Sequence, residues 1–151
     1  MRKFSSAAEL VAAQGEVLGS SDWQTITQDA VNLFADATGD HQWIHVDPER
    51  AKDGPFGATI AHGFMTLSLL PVLMHQIYTV EGVKLAINYG LNKVRFPAPV
   101  PVGAKVRGTS TLTKAEDLGN GALQLTVSTT VEVEGGDKPA CVAESILRYM
   151  F

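Results

Sequence analysis

An aspartate and a histidine in a short segment are the residues whose spacing points most directly to chemistry. Asp40 and His45 lie five positions apart, and His45 is flanked by the apolar residues Ile44 and Val46. The apolar neighbours predict a buried imidazole, and a loop can bring a carboxylate and an imidazole together on one water molecule. Such a pair is typical of general acid–base catalysis. On spacing alone, an Asx-turn aspartate and a histidine that only packs remain the more frequent explanation.

A histidine–glycine pair opens the most apolar segment of the chain. His62 and Gly63 directly precede the run that begins at Phe64, so Gly63 is predicted to start a buried helix. A glycine there presents an unobstructed backbone N–H beside the positive end of the helix dipole, where a carbonyl oxygen that gains negative charge can be held. Equally, Gly63 can serve close packing while His62 caps the helix or is partly exposed.

A metal site is the weaker interpretation of the same residues. His41 and His45 have the i, i+4 spacing that aligns two histidine ligands on a helix, and Asp40 is adjacent. Because this segment is predicted to be a loop and no thiolate accompanies it, we expect no metal and no cofactor. His75 is predicted to be a core histidine, and Cys141 a buried, unreactive thiol.

The basic residues are spread over several predicted strands rather than clustered. We expect them to form a solvated sheet edge, with contacts to a phosphate-bearing ligand as the alternative. The set comprises Lys84, Lys93, Arg95, Lys105 and Arg107.

Composition restricts the class of protein. The 151 residues include 12 basic and 16 acidic side chains, which give a net charge of -4, and 45% of the residues are hydrophobic. These values predict one folded domain over residues 1–151 and no nucleic-acid partner. The longest apolar run, Phe64–Tyr78, is too short and too interrupted to span a membrane, and Glu9 and Gln14 interrupt any signal-peptide core. A single cysteine cannot form an internal disulfide, so we expect a soluble cytoplasmic protein with no membrane partner.

The elements that must position these residues are helices first. Apolar spacing predicts a short helix from Ala7 to Ala13, and a strand is expected over 21–27. A second helix should begin after Thr27 and end at Gly39, and a third should begin at Asp47. Residues 39–46, which carry the acid–base pair, are therefore predicted to be a loop between two helices.

The remaining elements predict how the chain encloses its core. The run 64–78 is apolar on every face, which predicts a helix buried on all sides and kinked at Pro71. Two-residue alternation after Gly82 predicts an antiparallel meander of strands over 83–88, 92–96, 105–114, 122–133 and 140–149. Helices followed by strands indicate an α+β fold, and a curved antiparallel sheet wrapped around one long central helix is the hotdog arrangement.

Three motifs in this order resemble those of the MaoC-like (R)-specific enoyl-CoA hydratases and 3-hydroxyacyl-thioester dehydratases, including the mycobacterial and nodulation protein N-like members. The segment 34–51 is similar to the hydratase signature, with Gly39-Asp40, four residues and then His45. Ile60-Ala-His-Gly-Phe64 is similar to the second motif, and Asn92-Lys-Val-Arg-Phe96 with the following prolines is similar to the third. The resemblance covers about residues 25–105.

The resemblance implies a lyase that adds water to trans-2-enoyl-CoA and removes it from (R)-3-hydroxyacyl-CoA. It implies that Asp40 and His45 hold and activate the water, and that the Gly63 N–H is the oxyanion donor. The substrate-binding residues that it implies are Gln42, Trp43, Ile60, Ala61, His62, Asn88 and Arg95.

The resemblance also implies a homodimer with an acyl tunnel near its interface, bound to CoA or acyl carrier protein thioesters. Gln42-Trp43 stands where the commonest motif has Asn-Pro, so we expect Trp43 to line the tunnel and affect chain-length preference. Acyl length, carrier, pathway direction and the formal base stay open. The competing functions are a hotdog thioesterase, a noncatalytic acyl-thioester binding module and a metal-dependent hydrolase.

Overall fold

The computed structural model describes all residues from Met1 to Phe151. Helices fill most of the first half of the chain, and long strands fill the second. The helices are α1 Ala7–Ala12, α2 Gln28–Thr38, α3 Trp43–Val46, α4 Pro48–Ala51, α5 Gly63–Ser68 and α6 Leu70–Ile77. The strands are β1 Arg2–Phe4, β2 Val17–Ser20, β3 Gln24–Thr25, β4 Tyr78–Val80, β5 Leu85–Arg95, β6 Lys105–Gly119, β7 Ala122–Val133 and β8 Cys141–Met150.

The main sheet is antiparallel and has the strand order β2-β6-β7-β8-β5, with β3 also paired to β6. Only β6, β7 and β8 form the predicted meander, because β5 pairs with β8 and not with β6, its neighbour in sequence. A tight turn at Gly119-Asn120-Gly121 joins β6 to β7, and all three residues have positive φ, which the two glycines adopt without strain. The β5 edge is left open, as is the β2 edge at the other end of the sheet.

The helices α5 and α6 pack against this sheet through a continuous core of 24 buried residues. At the closest approach, a Cβ atom added to Gly108 of β6 would lie 3.3 Å from Leu73 of α6, so the absence of a side chain there lets the helix contact the strand. The predicted α+β hotdog arrangement is confirmed, with a curved sheet around central helices. A separate parallel pair, β1 and β4, closes one end.

The central helix differs from the prediction in two ways. It is broken into α5 and α6 at Leu69, because Pro71 lies in the first turn of α6 and has no N–H to continue the ladder. It is also not buried on all sides: Phe64 is 70% exposed, Val72 is 44% exposed, and His75 is exposed rather than a core histidine. Only one side of the helix faces the sheet, so the other side of an isolated chain meets solvent.

Local capping signals in the sequence correctly predicted both ends of α2 and the start of α4. The helix α2 begins as predicted, with the Thr27 hydroxyl accepting from the Ala30 N–H, and ends at Gly39 in the left-handed conformation. Asp47 caps α4 by accepting from the Arg50 N–H. The prediction of a loop over 39–46 was wrong in part, because 43–46 form the helical turn α3.

The strand predictions differ in length and number. The strand expected over 21–27 is reduced to β3, and the short strands β1, β2 and β4 were not predicted. Two predicted strands, 83–88 and 92–96, are one strand, β5, whose two register shifts let it remain paired with β8 across Gly90. None of the helices is long and apolar enough to cross a membrane.

Candidate active site

His45 lies on the single turn α3 and is held by a main-chain carbonyl. Its side chain is buried, and its Nδ1 donates to the Ile60 carbonyl oxygen at 2.7 Å. A carbonyl oxygen can only accept, so Nδ1 carries a proton. When the ring is neutral, Nε2 is therefore its free, basic nitrogen. The segment containing Ile60 therefore sets the tautomer that a general base needs.

A glutamine that the sequence did not single out fixes this turn in place. The side chain of Gln28, the first residue of α2, donates to the His45 carbonyl at 2.7 Å and accepts from the Thr59 hydroxyl at 2.6 Å. The Ile60 N–H also donates to the Ile44 carbonyl at 2.9 Å. The residues around Gln28 form no recognisable motif. Its partners, His45 and Thr59, come from two distant segments, so no local pattern could indicate this role.

Asp40 follows the left-handed Gly39 and is exposed at the end of α2. A carboxylate oxygen of Asp40 and one nitrogen from each of His45 and His62 lie within 4.8 Å of one another. A water molecule that makes two hydrogen bonds of about 2.8 Å can bridge groups at this separation. The same carboxylate accepts a long hydrogen bond, 3.4 Å, from the Gln42 N–H, so the Asx turn weighed above coexists with the pair.

His62 is buried beside this pair, which contradicts the alternative in which it caps the helix or is partly exposed. It is 2% exposed and makes no side-chain bond to the start of α5. Its Nε2 donates to the Asp40 carbonyl at 2.9 Å, and its ring stacks on His45 with centroids 3.8 Å apart. Its Nδ1 is buried and has no hydrogen-bond partner.

Asp40, His45 and His62 have the composition of a metal site, but their geometry does not suit one. The two imidazole rings are stacked at an interplanar angle of 23°, which holds their lone pairs in nearly parallel planes instead of directing them at one ion. In each ring, one nitrogen also donates a hydrogen bond to a main-chain carbonyl. The geometry therefore favours acid–base chemistry over metal binding.

A cavity of about 310 Å³ opens at the start of α5 and brings several predicted residues together. As the first residue of α5, Gly63 has no carbonyl one turn earlier to receive its N–H. The cavity is lined by His45, Phe56, Ile60, Ala61, Gly63, Thr66, Ala140 and the segment 96–100.

Five predicted substrate-binding residues lie outside this cavity: His62, described above, and Gln42, Trp43, Asn88 and Arg95. Gln42 is exposed, and the Arg95 guanidinium donates to the neighbouring Val94 carbonyl. Trp43 packs against Gly54 and under the Arg50 guanidinium, 4.3 Å from the ring centroid, and lines neither large cavity, so its position does not support a role in the tunnel. Asn88 lines a different cavity.

That second cavity has a volume of about 390 Å³ and lies between α5, α6 and the strands β5 and β8. Leu67 and Ser68 of α5 border this cavity, and the residue before them, Thr66, borders the first cavity. Both cavities therefore lie beside the same helix. The lining is mostly apolar: Leu67, Ser68, Leu70, Pro71, Met74, Asn88, Gly90, Leu91, Ser145 and Leu147.

The remaining candidates are structural. Cys141 is fully buried, and this burial raises the pKa of its thiol to about 11, so it stays protonated near neutral pH. Arg107 and Lys105 pair with Glu132 and Glu134 at the surface, but they lie on β6, which is paired on both sides, and not on the predicted sheet edge.

Comparison with known proteins identifies the family. Residues 9–135 match the model of the MaoC like domain. The 3-hydroxyacyl-thioester dehydratase Z of Mycobacterium tuberculosis is 77% identical over 150 residues, covering 99% of each chain. Nodulation protein N of Rhizobium leguminosarum bv. viciae is 44% identical, covering 97% of this chain and 92% of that protein.

A solved structure agrees with the sequence relatives. The (R)-hydratase from A. caviae involved in PHA biosynthesis superposes with a TM-score of 0.68 and 26% identity, covering 87% of this chain and 95% of that one. These matches support a hydratase or dehydratase of the MaoC type, which is a lyase. From the family model and the extent of these identities, the chain belongs to the MaoC-like domain family.

Proposed function

We propose that this chain catalyses the (R)-specific hydration of trans-2-enoyl-CoA to (R)-3-hydroxyacyl-CoA and the reverse dehydration. The observation that carries the proposal is the geometry of His45, whose Nδ1–H donates to the Ile60 carbonyl and whose Nε2 is free, with the Asp40 carboxylate close by. The names of the 77% identical relative and of the superposed hydratase support the same reaction.

The proposed chemistry uses one water and no covalent intermediate. Asp40 and His45 Nε2 hold the water, and Nε2 accepts one of its protons as the oxygen bonds to C3 of the enoyl thioester. The electron pair of the C2–C3 double bond moves toward the thioester carbonyl, whose oxygen gains negative charge and accepts from the Gly63 N–H. The proton then passes to C2 on the same face, so both parts of the water are added and the site is restored.

The second cavity is the proposed acyl-chain site. It is mostly apolar, and α5 borders both it and the cavity that contains Gly63 and His45. A thioester placed at Gly63 can therefore extend its alkyl chain past Thr66 toward Leu67 and Met74, where burial of each methylene is favourable by about 0.8 kcal/mol. Either CoA or acyl carrier protein can present such a chain.

The functional unit is proposed to be a homodimer. Strand β5 is paired on one side only, and its large side chains Leu85, Tyr89 and Leu91 are exposed. Phe64 and Phe96, whose rings contact each other at the mouth of the first cavity, are exposed as well. A second copy that covers this surface would bury the open edge and complete the wall of the site.

The test is hydration of crotonyl-CoA by the purified protein, followed by the loss of enoyl absorbance. Asp40→Asn keeps the shape and removes the charge, and His45→Gln removes the basic nitrogen. Each should lower kcat at least about a hundredfold, the usual contribution of a positioned acid or base. The double variant should be little slower than the worse single variant, because the two groups act as one unit.

Three results would contradict the proposal. Release of free CoA thiol without formation of 3-hydroxybutyryl-CoA would indicate a thioesterase. Binding of acyl-CoA without turnover would indicate a binding module. Near-normal hydration by a folded Asp40→Asn or His45→Gln variant would remove the water-holding role. Chiral analysis of the product tests the (R) configuration separately.

A further inference from the structure

We propose that His62 is a positioning residue that joins the acid–base pair to the oxyanion donor and does not itself bind substrate. This inference rests on the proposed hydratase function. It differs from the role that the sequence resemblance implies, because His62 does not line the cavity that His45, Ala61 and Gly63 share.

The first contact that supports the inference is with Asp40. The His62 Nε2–H donates to the main-chain carbonyl of Asp40 at 2.9 Å, and His62 directly precedes Gly63 in the chain. One hydrogen bond and one peptide unit therefore connect the residue that carries the carboxylate with the residue that offers the N–H. The spacing between these two catalytic groups depends on this imidazole.

The second contact is with His45. The two rings stack with centroids 3.8 Å apart, and the ring of Phe34 lies 4.9 Å from that of His62. The Ile60 carbonyl fixes the His45 ring at Nδ1, but a single hydrogen bond leaves the ring free to tilt about it. The face of His62 restricts that tilt, so Nε2 keeps its direction.

Packing alone does not explain a histidine here. The side chain is 2% exposed and its Nδ1 is buried with no partner, which is a cost to folding. A leucine of similar size would avoid that cost. The imidazole is thus accounted for by its Nε2 donor and its stacking face.

Three substitutions separate a positioning role from a structural one. In His62→Gln, the amide nitrogen can occupy the place of Nε2 and donate to Asp40. In His62→Asn, the amide is one methylene shorter and cannot reach that carbonyl. His62→Leu removes both polar nitrogens and with them the unpaired acceptor.

We expect kcat for crotonyl-CoA to fall about ten- to a hundredfold in His62→Leu and His62→Asn, with KM little changed, as for small misplacements of reacting groups. His62→Gln should recover at least about tenfold in kcat over His62→Leu, because the donor is restored. The melting temperature of His62→Leu should not fall. His41→Gln is the matched control: it is an exposed histidine bound to Asp36, and it should keep the native kcat.

Normal kcat in folded His62→Leu, equal losses in the Gln and Leu variants, or a raised KM with unchanged kcat would each overturn the inference. If His62→Leu does not fold, the Gln and Asn pair decides alone. Imidazole NMR signals of His45 in the substrate-free protein, assigned with His45→Gln, give a test independent of the reaction. The ring current of His62 is lost in every variant, so chemical shifts change in all of them and line width is the readout. The His45 signals should broaden in His62→Asn and broaden less in His62→Gln. No added broadening in His62→Asn would refute the positioning role even if the native protein hydrates nothing.

Discussion

Gly63 shows at the scale of one residue how closely the oxyanion donor is surrounded. A Cβ atom added there would lie 3.1 Å from the ring of Phe96, which lines the same cavity. We expect Gly63→Ala to displace that ring and the thioester with it, and to lower kcat for crotonyl-CoA by about tenfold or more while the fold is kept. Enoyl absorbance and a thermal melt measure the two effects. A folded Gly63→Ala variant with native kcat would contradict the oxyanion role.

Trp43 is a second residue whose position predicts the kinetic effect of its substitution. Because its ring packs between Gly54 and Arg50 and lines neither cavity, we expect Trp43→Ala to loosen α3 and slow all acyl lengths alike, by about tenfold. Rates with a series of enoyl-CoA chain lengths test this. A selective gain with long or bulky chains would instead restore the tunnel role that the sequence resemblance implies.

At the site, the sequence indicated the candidate acid–base residues but not the residues that support them. A loop motif and a helix start singled out Asp40, His45 and Gly63, and the roles predicted for them came from the family resemblance. The tautomer of His45 depends on the Ile60 carbonyl, and the turn depends on Gln28 and Thr59. These contacts join separate segments, so they follow only from the fold.

Among the helices and strands too, the sequence predicted the features that depend on local signals and missed those that depend on distant contacts. The ends of α2 and the start of α4 were predicted because Thr27, Gly39 and Asp47 cap them locally. The single strand β5 was not, because pairing with β8 overrides the local break at Gly90. The exposure of His75 was missed because an apolar sequence does not show which side of a helix meets the sheet.

A pair of tyrosines joins the end of the central helix to the last strand. The hydroxyls of Tyr78 and Tyr149 are 2.8 Å apart, and burial raises the pKa of both phenols. Tyr149→Phe leaves the Tyr78 hydroxyl buried without its partner, so we expect a loss of about 1–3 kcal/mol in the free energy of unfolding. The double variant with Tyr78→Phe should recover most of it in urea denaturation. Equal stability of the single and double variants would show that the unpaired Tyr78 hydroxyl carries no penalty.

At the scale of the whole molecule, the proposed homodimer depends on the open β5 edge. Tyr89 is 55% exposed there and lies beside the Arg148 guanidinium. We expect Tyr89→Lys to place two cations together on the dimer surface and to raise the dimer dissociation constant at least about tenfold. Sedimentation should show a shift from twice the chain mass toward 16.1 kDa.

Val17→Lys is the matched control, since it adds the same charge to an exposed apolar position on β2, the opposite edge of the sheet. It should leave the dimer intact. Dissociation by Val17→Lys and not by Tyr89→Lys would move the interface to that edge. A native protein that sediments only at the mass of one chain would refute the dimer altogether.

The pairing of β5 with β8 also orders events during synthesis. The ribosome completes β5 early, but its only partner in the chain is the last strand made, after β6 and β7. Until β8 emerges, β5 has neither edge paired, and the cavity wall lacks Ala140, which directly precedes β8. Closing a contact so distant in sequence is intrinsically slow. The nascent chain therefore contains its acid–base turn well before it has a pocket to enclose a substrate.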